Sequence, residues 1–377
     1  MNRRVVLRWF SRHFWIWLMG AAMAGSPTLS AQGSAPQAGA PSGVSGPHMV
    51  TLDVLVHDKT GNSLTGLQAN DLTVLDNGQP RTLTNFREVD TRANPEATHV
   101  LLVLDMINTG FNEIAWEREQ VTEFLKQDGG KLSHPVSIAA MTDRGVKMMQ
   151  GSSQDGAVLL DGLQKFQTEI RDLTRAAGFW GATERLTMSL DQLGQIGGTE
   201  SRLPGRKMVV VIGPGWPLLS GVGVEEDDKQ RRWVFGVIVQ FTNALREGGI
   251  ALYCLDPYTL GRTNPDYYKG YLKGVKRYVN AEYPDMALQV LAEHSGGRTL
   301  TQGHDVLGEI EMAMRDAGTY YAVSFEEPTA DSPNEYHQIQ VKVDRPDVTA
   351  RTASMYYANA QVVGGRTAPP THATPPR

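Results

Sequence analysis

Between Arg262 and Asp285 the stretch RTNPDYYKGYLKGVKRYVNAEYPD interleaves Tyr267, Tyr268, Tyr271, Tyr278 and Tyr283 with Lys269, Lys273, Lys276 and Arg277. Tyrosine brings a large contact area at low entropic cost, so this composition suits an interface to a protein or a glycan. Tyr267, Tyr268, Tyr271 and Lys273 are its candidate partner-binding residues, against the alternative of an insertion that only packs on its own domain. Glu225, Glu226, Asp227 and Asp228 form an acidic run followed by Lys229, which reads as a solvated loop rather than a cation site. The histidines His48, His57, His99, His134, His294, His304 and His337 are scattered, with no pair at helical metal spacing. His294 stands before a glycine pair that ends a helix, where a positive charge is favourable. No GxxxxGK[ST] and no GxSxG occurs, so neither a phosphate loop nor a nucleophile elbow is present. These residues make a non-catalytic protein the expectation.

The elements that must position such residues follow from bulk and pattern. At 377 residues the chain has room for roughly two domains of about 150 residues. Its 41% hydrophobic and 20% charged residues are ordinary for a globular core, and a net charge of -5 gives no general attraction to nucleic acid. The lone cysteine, Cys254, excludes an intrachain disulfide and reads as a small buried hydrophobe in IALYCLDP.

Arg3, Arg4, Arg8 and Arg12 precede the apolar stretch from Phe14 to Ala24, and small residues follow up to Ala31. That order reads as a secretory signal over residues 1–31, so export to the periplasm or beyond is expected, with membrane attachment only if the signal stays uncleaved. NRRVVLR also has the arginine pair of a twin-arginine signal. Residues 32–47 are Gly/Ser/Ala/Pro-rich and read as a flexible linker, and residues 359–377 as a disordered tail.

Residues 48–92 read as antiparallel strands. MVTLDVLVHD alternates, and Asn77-Gly78 between two short runs is a hairpin signal. From 97 to 317 the rhythm changes. HVLLVLDM, VSIAAMT, KMVVVIGP and IALYCLD are strands of a buried parallel sheet, separated by amphipathic helices, among them Glu113 to Lys126 and VFGVIVQFTNALRE. This alternation predicts an α/β fold with a doubly wound, mostly parallel sheet. Its ligand crevice would lie at the carboxyl ends of the strands, near Asp105, Thr142-Asp143 and Gly213-Pro214-Gly215. Residues 318–358 return to period two, and with residues 48–92 they are expected to form one small antiparallel β-sandwich, since neither half alone can cover a sheet.

Several segments resemble the VWFA-related domain proteins of acidobacteria, which are relatives of the von Willebrand factor A and integrin I domains. They are VTLDVLVHDKTGNSLTGLQANDLTVLDNGQPRTLTNF, LVLDMINTG, LPGRKMVVVIGPGWP, NALREGGIALYCLDP, LAEHSGGRTL, DAGTYYAVSFEEP and YHQIQVKVDRPDVTAR, in the family's order. The resemblance implies a von Willebrand factor A-like fold and a secreted or envelope setting. By analogy with A domains it also implies binding or adhesion to a protein partner, or alternatively a metal-independent structural role in an envelope complex.

A domains that bind metal carry Asp-x-Ser-x-Ser after the first strand, a threonine in a second loop and an aspartate in a third, all oxygen ligands for a hard divalent cation. Asp105 matches, Thr109 stands for the second serine, Ile107 has no side-chain oxygen, and Asn108 offers an amide. Thr183, or Thr187, is the candidate second-loop threonine, and Gly213-Pro214 stands where the third-loop aspartate would be. Two readings stay open: a degenerate Mg²⁺ or Ca²⁺ site, or no cofactor and an Asp105 that orders its loop through backbone N–H groups.

Overall fold

The computed structural model describes residues 48–166, 178–216, 219, 225–259, 264, 266–301 and 303–358. The expected signal, linker and tail lie outside them. The chain first forms β1 (Met49–Asp58), β2 (Leu72–Asp76), β3 (Gln79–Arg81) and β4 (Leu83–Val89). Asn77 and Gly78, with φ of 49° and 80°, turn β2 into β3 as a hairpin.

The middle of the chain alternates. It runs β5 (Thr98–Asp105), α1 (Phe111–Lys126), β6 (Lys131–Thr142), β7 (Gly145–Asp155), α2 (Gly156–Phe166), α3 (Gly178–Glu200) and β8 (Arg206–Ile212). It continues with α4 (Asp228–Glu247), β9 (Ile250–Leu255), α5 (Leu288–His294), β10 (Thr299–Leu300) and α6 (Val306–Arg315). The last strands are β11 (Tyr320–Glu326), β12 (Glu335–Val343), β13 (Val348–Arg351) and β14 (Met355–Ala358).

The central sheet has the order β10-β9-β8-β5-β6-β7, parallel except for the edge strand β7. Counted along the chain this is 3-2-1-4-5-6, the doubly wound order. Successive side chains of each strand point to opposite faces. Leu101 and Val103 of β5 therefore join Val209, Leu252 and helices α3, α4 and α5, while Val100, Leu102 and Leu104 join Met208, Val210 and helices α1, α2 and α6. Cys254 is buried in the first of these cores. The expected α/β architecture holds. Strand β7 was not foreseen: it is polar and lies at an edge, so it lacks the apolar run that marks a central strand. The Thr142-Asp143 segment is consequently the tight turn between β6 and β7, where Thr142 Oγ1 donates to the Gly145 carbonyl at 2.9 Å.

The N- and C-terminal strands form two four-stranded sheets, β13-β1-β11-β4 and β14-β12-β2-β3. Val50, Leu52, Val54, Val74, Val323, Phe325, Ile339 and Tyr356 fill the space between them, which is the expected sandwich. Its join to the α/β part is charged. Asp316 is fully buried and accepts from Arg298 (2.8 and 3.0 Å), Tyr253 (3.0 Å) and Arg351 of β13. Burial pushes the Asp316 carboxyl up, but Arg351 and Arg298 hold it below the usual carboxylate range. No helix among the described residues is long and apolar enough to cross a membrane.

Candidate functional site

In the doubly wound order the crevice opens where connections leave neighbouring strands in opposite directions, here between β5 and β8. Asp105 is the last residue of β5 and is fully buried. Its Oδ1 accepts the N–H groups of Ile107 (3.0 Å) and Asn108 (3.1 Å), and its Oδ2 accepts Asn108 Nδ2 at 2.7 Å. The carboxylate thus closes an Asx turn on its own loop. Met106 and Ile107 are buried, Thr109 is buried beside Asp105, and Asn108 Nδ2 also donates to Ser189 Oγ of α3 at 3.0 Å.

From the β8 side the crevice is filled by backbone. Gly213 has φ of 150°, and a Cβ there would stand 2.8 Å from Thr109 Oγ1 and 3.0 Å from the Asp105 Cβ. Glycine is the residue that lets the two loops meet. The donor set does not fit a resident divalent cation. Asp105 accepts loop N–H groups on Oδ1 and the Asn108 side-chain amide on Oδ2, a buried isoleucine stands where a second oxygen is needed, and the third loop contributes a glycine. Asn108 Oδ1 is a buried oxygen with no partner among the described residues, and one neutral amide is a poor cage by itself.

Thr183 is not brought to this loop by any hydrogen bond; its hydroxyl donates to the Phe179 carbonyl at 2.8 Å, and that of Thr187 to the Thr183 carbonyl at 2.8 Å. The α3 residues that meet the sheet edge are Ser189 and Gln192, the latter bonding both N–H and C=O of Thr142 at 3.1 and 2.6 Å. At its other end Glu200 reaches His99, the second residue of β5, at 3.1 Å. Residues 189–200 therefore run alongside the strand, and residues 178–188 form the helix's N-terminal extension, in which Gly181 and Leu186 are still buried. Phe179 and Trp180 lie in the first turn of that extension, 42% and 62% exposed, with rings 6.0 Å apart. Phe111, which begins α1 just after the Asp105 loop, is 44% exposed.

A second group sits under α1. Glu117 is fully buried, and its Oε1 accepts the Tyr258 hydroxyl at 2.7 Å. Burial raises the Glu117 carboxyl well above its usual range, and Asp105, Glu113 and Asp256 push it further the same way. Tyr258 belongs in turn to a ring cluster with Trp116 and His304, their centroids 5.5 to 6.3 Å apart. Sequence reasoning missed Glu117, although it falls on the apolar stripe with Ile114 and Val121, where a carboxylate is out of place.

The tyrosine-rich insertion divides in two. Tyr268 is buried against Ala287 and Val290, Tyr267 and Tyr271 pack on it, and Tyr267 Oη donates to Gln289 at 3.3 Å. Burial pushes the Tyr268 hydroxyl up to about 12. These three tyrosines are engaged in packing, because the insertion folds back onto α5. Lys273 is exposed, and its carbonyl accepts Tyr336 Oη at 3.2 Å. The outward chemistry lies further on, at Lys276 to Val279. His294 carries no helix-end charge: it is buried, which lowers its pKa to about 4, and its Nε2 faces the Leu272 carbonyl at 3.3 Å. In the acidic run Asp227 caps α4 by accepting the Gln230 N–H at 2.8 Å, and Glu226 accepts the Tyr283 N–H at 3.0 Å.

Neither a protein-family model nor a curated protein matches the chain. Among solved structures it is similar to the human COPII-coat protein Sec24c, at 8% identity and a TM-score of 0.36, over 73% of this chain and 46% of that one. It spans less than half the length of that chain. It is also similar to the manganese-loaded Plasmodium vivax TRAP protein (8% identity, TM-score 0.32, 72% and 96% covered) and to the SpRpn10 VWA domain (10%, 0.30, 59% and 97%). The fold is von Willebrand factor A-like. That assignment rests on the strand order and the antiparallel edge strand, since likenesses at such scores add no weight of their own.

Proposed function

We propose that the chain is an exported, non-catalytic binding module that engages a protein partner in the cell envelope through the carboxyl edge of its α/β sheet. The observation that carries this reading is the placement of exposed aromatics. Phe111, Phe179 and Trp180 are large apolar side chains left in solvent, and all three lie on the first turns of the helices that begin at that edge. Aromatic side chains left exposed do not contribute to the core, and tryptophan and its kind supply most hot-spot energy when a partner covers them. Export is supported by the order of basic, apolar and small residues from Arg3 to Ala31. Binding here does not call on a metal, because Asp105 is committed to its own loop.

The test is capture of envelope proteins by immobilised full-length protein and by a Phe179→Ala/Trp180→Ala variant, identified by mass spectrometry. A specific partner lost with the variant at unchanged thermal stability is expected. A partner retained by the variant would move the interface elsewhere, and metal-dependent capture abolished by EDTA would contradict the metal-free reading. A broad hydrolase substrate screen with turnover would contradict the absence of catalysis.

A further inference from the structure

A cavity of about 600 Å³ opens where the α/β part meets the sandwich. Its lining comes from Phe235 of α4, from Lys276, Arg277, Tyr278 and Val279 of the insertion, and from Ser332 to Tyr336 at the start of β12. That volume lies within the ordinary range of ligand sites, roughly 300 to 1,000 Å³.

The walls are fixed before any ligand arrives. Tyr336 and Phe235 both pack edge-on against Tyr357, at 5.9 and 5.7 Å. Arg231 holds the Val279 carbonyl at 2.8 Å. Arg232, one turn before Phe235, lies 3.7 Å from the centre of the Tyr278 ring and donates to its hydroxyl at 2.6 Å. Lys276 Nζ stands 5.6 Å over the Tyr336 ring.

The charge is lopsided. Arg232, Lys276 and Arg277 have no carboxylate partner among the described residues. The carboxylate in the lining, Glu335, is already engaged: its Oε2 accepts the Asp331 N–H at 2.6 Å and its Oε1 lies 3.7 Å from His337 Nε2. Two cations over tyrosine rings and the exposed Arg277 beside them, in a chain whose net charge is -5, form a local site for anions carried on an apolar body.

We propose that this cavity binds an acidic peptide segment, whose carboxylates meet Lys276, Arg277 and Arg232 while an intervening apolar side chain lies on Tyr278, Phe235 and the exposed Val279. A peptide fits better than a small inorganic anion because the cations are separated by ring faces and an aliphatic rim rather than converging on one point. The site uses none of the edge aromatics, so it stands whether or not the edge is the principal interface.

The experiment is fluorescence polarisation with the purified full-length protein and a labelled heptapeptide of glutamates broken by one leucine. Controls are the same peptide with lysines for glutamates, and oligogalacturonate as an acidic sugar. Saturable binding of the acidic peptide is expected, falling about tenfold as salt is raised from low to a few tenths molar. A similar loss is expected in Lys276→Glu/Arg277→Glu and a smaller one in Lys276→Gln/Arg277→Gln, with Trp180→Ala unchanged. Lys276 and Arg277 are both exposed, so unaltered thermal unfolding would show that the two variants fold. Equal binding of the two peptides, insensitivity to the substitutions, or no binding would overturn the proposal. Binding of oligogalacturonate without the peptide would also overturn it, and assign the cavity to acidic sugars.

Discussion

Replacing Asp285 by asparagine should make the protein more stable, and increasingly so as pH rises. Asp285 lies in the turn Tyr283–Met286, is buried, and accepts the Glu282 N–H through Oδ2 at 2.8 Å. Burial, with the nearby carboxylates of Glu282 and Glu226, pushes its pKa from 3.8 up to about 7. Between pH 4 and 7 the folded protein therefore keeps a proton that the unfolded chain has released. The folded state binds more protons in that window, so stability falls as pH rises through it and levels off above 7. A shift of about three units at about 1.4 kcal/mol each sets an upper limit of about 4 kcal/mol at pH 8. Asparagine keeps an oxygen for the Glu282 N–H and cannot ionise.

The assay is urea unfolding of wild type and Asp285→Asn at pH 4, 5, 6, 7 and 8, read as midpoints at unchanged slope. The two proteins should coincide near pH 4 and separate progressively up to pH 8, with the variant the more stable. Parallel curves over the whole range, or a variant less stable at pH 8, would refute the buried-carboxyl reasoning. The result bears on function because this turn anchors the insertion that carries Lys276, Arg277 and Tyr278.

His294 should show the opposite sign. Its pKa is lowered by burial to about 4, so the folded state lacks a proton that the unfolded chain gains below about 6.5. Stability is lost as pH falls from 6.5 to 4, and His294→Gln should flatten that slope by up to about 3 kcal/mol in the same titration. Gly213→Ala should cost about 2 kcal/mol by thermal or urea unfolding, since a side chain at φ of 150° would press on Thr109 and Asp105; no loss would mean the two loops are not in contact. Melting curves in EDTA and in millimolar Mg²⁺, Mn²⁺ or Ca²⁺ should superimpose, for wild type and for Asp105→Ala alike. A bound ion at about 100 times its dissociation constant would instead add about 2.7 kcal/mol to the wild type alone.

The sheet was legible because its strands are nearly unbroken apolar runs and its helices keep an apolar stripe, as with Ile114, Val121, Phe124 and Leu125 on α1. The hairpin at Asn77-Gly78 was legible because positive φ at two successive residues restricts the choice of side chain. Strand β7 was not, because an edge strand with few buried residues carries no pattern. Nor was the role of Asp227, which lies inside a run that looks merely acidic while its capping partner Gln230 stands just beyond it.

The site was read least well where tertiary contact decides which side of a residue faces out. Tyr267, Tyr268 and Tyr271 have the composition of an interface, yet the turn of the insertion against α5 buries one of them and engages the other two. Tyr278 has the same composition and stays at the surface, because Arg232, 46 residues before it, and the more distant start of β12 build a wall around it. Asp105 shows the same effect in reverse. Its type and position match a metal ligand, but Asn108 and two backbone N–H groups engage its oxygens, and Gly213 comes close to its Cβ and to Thr109. Hydrogen bonds within the loop and the close approach of Gly213 together fill the space beside Asp105. The recognition proposed above would then rest on exposed side chains at that edge, such as Trp180, or on those that line the junction with the sandwich.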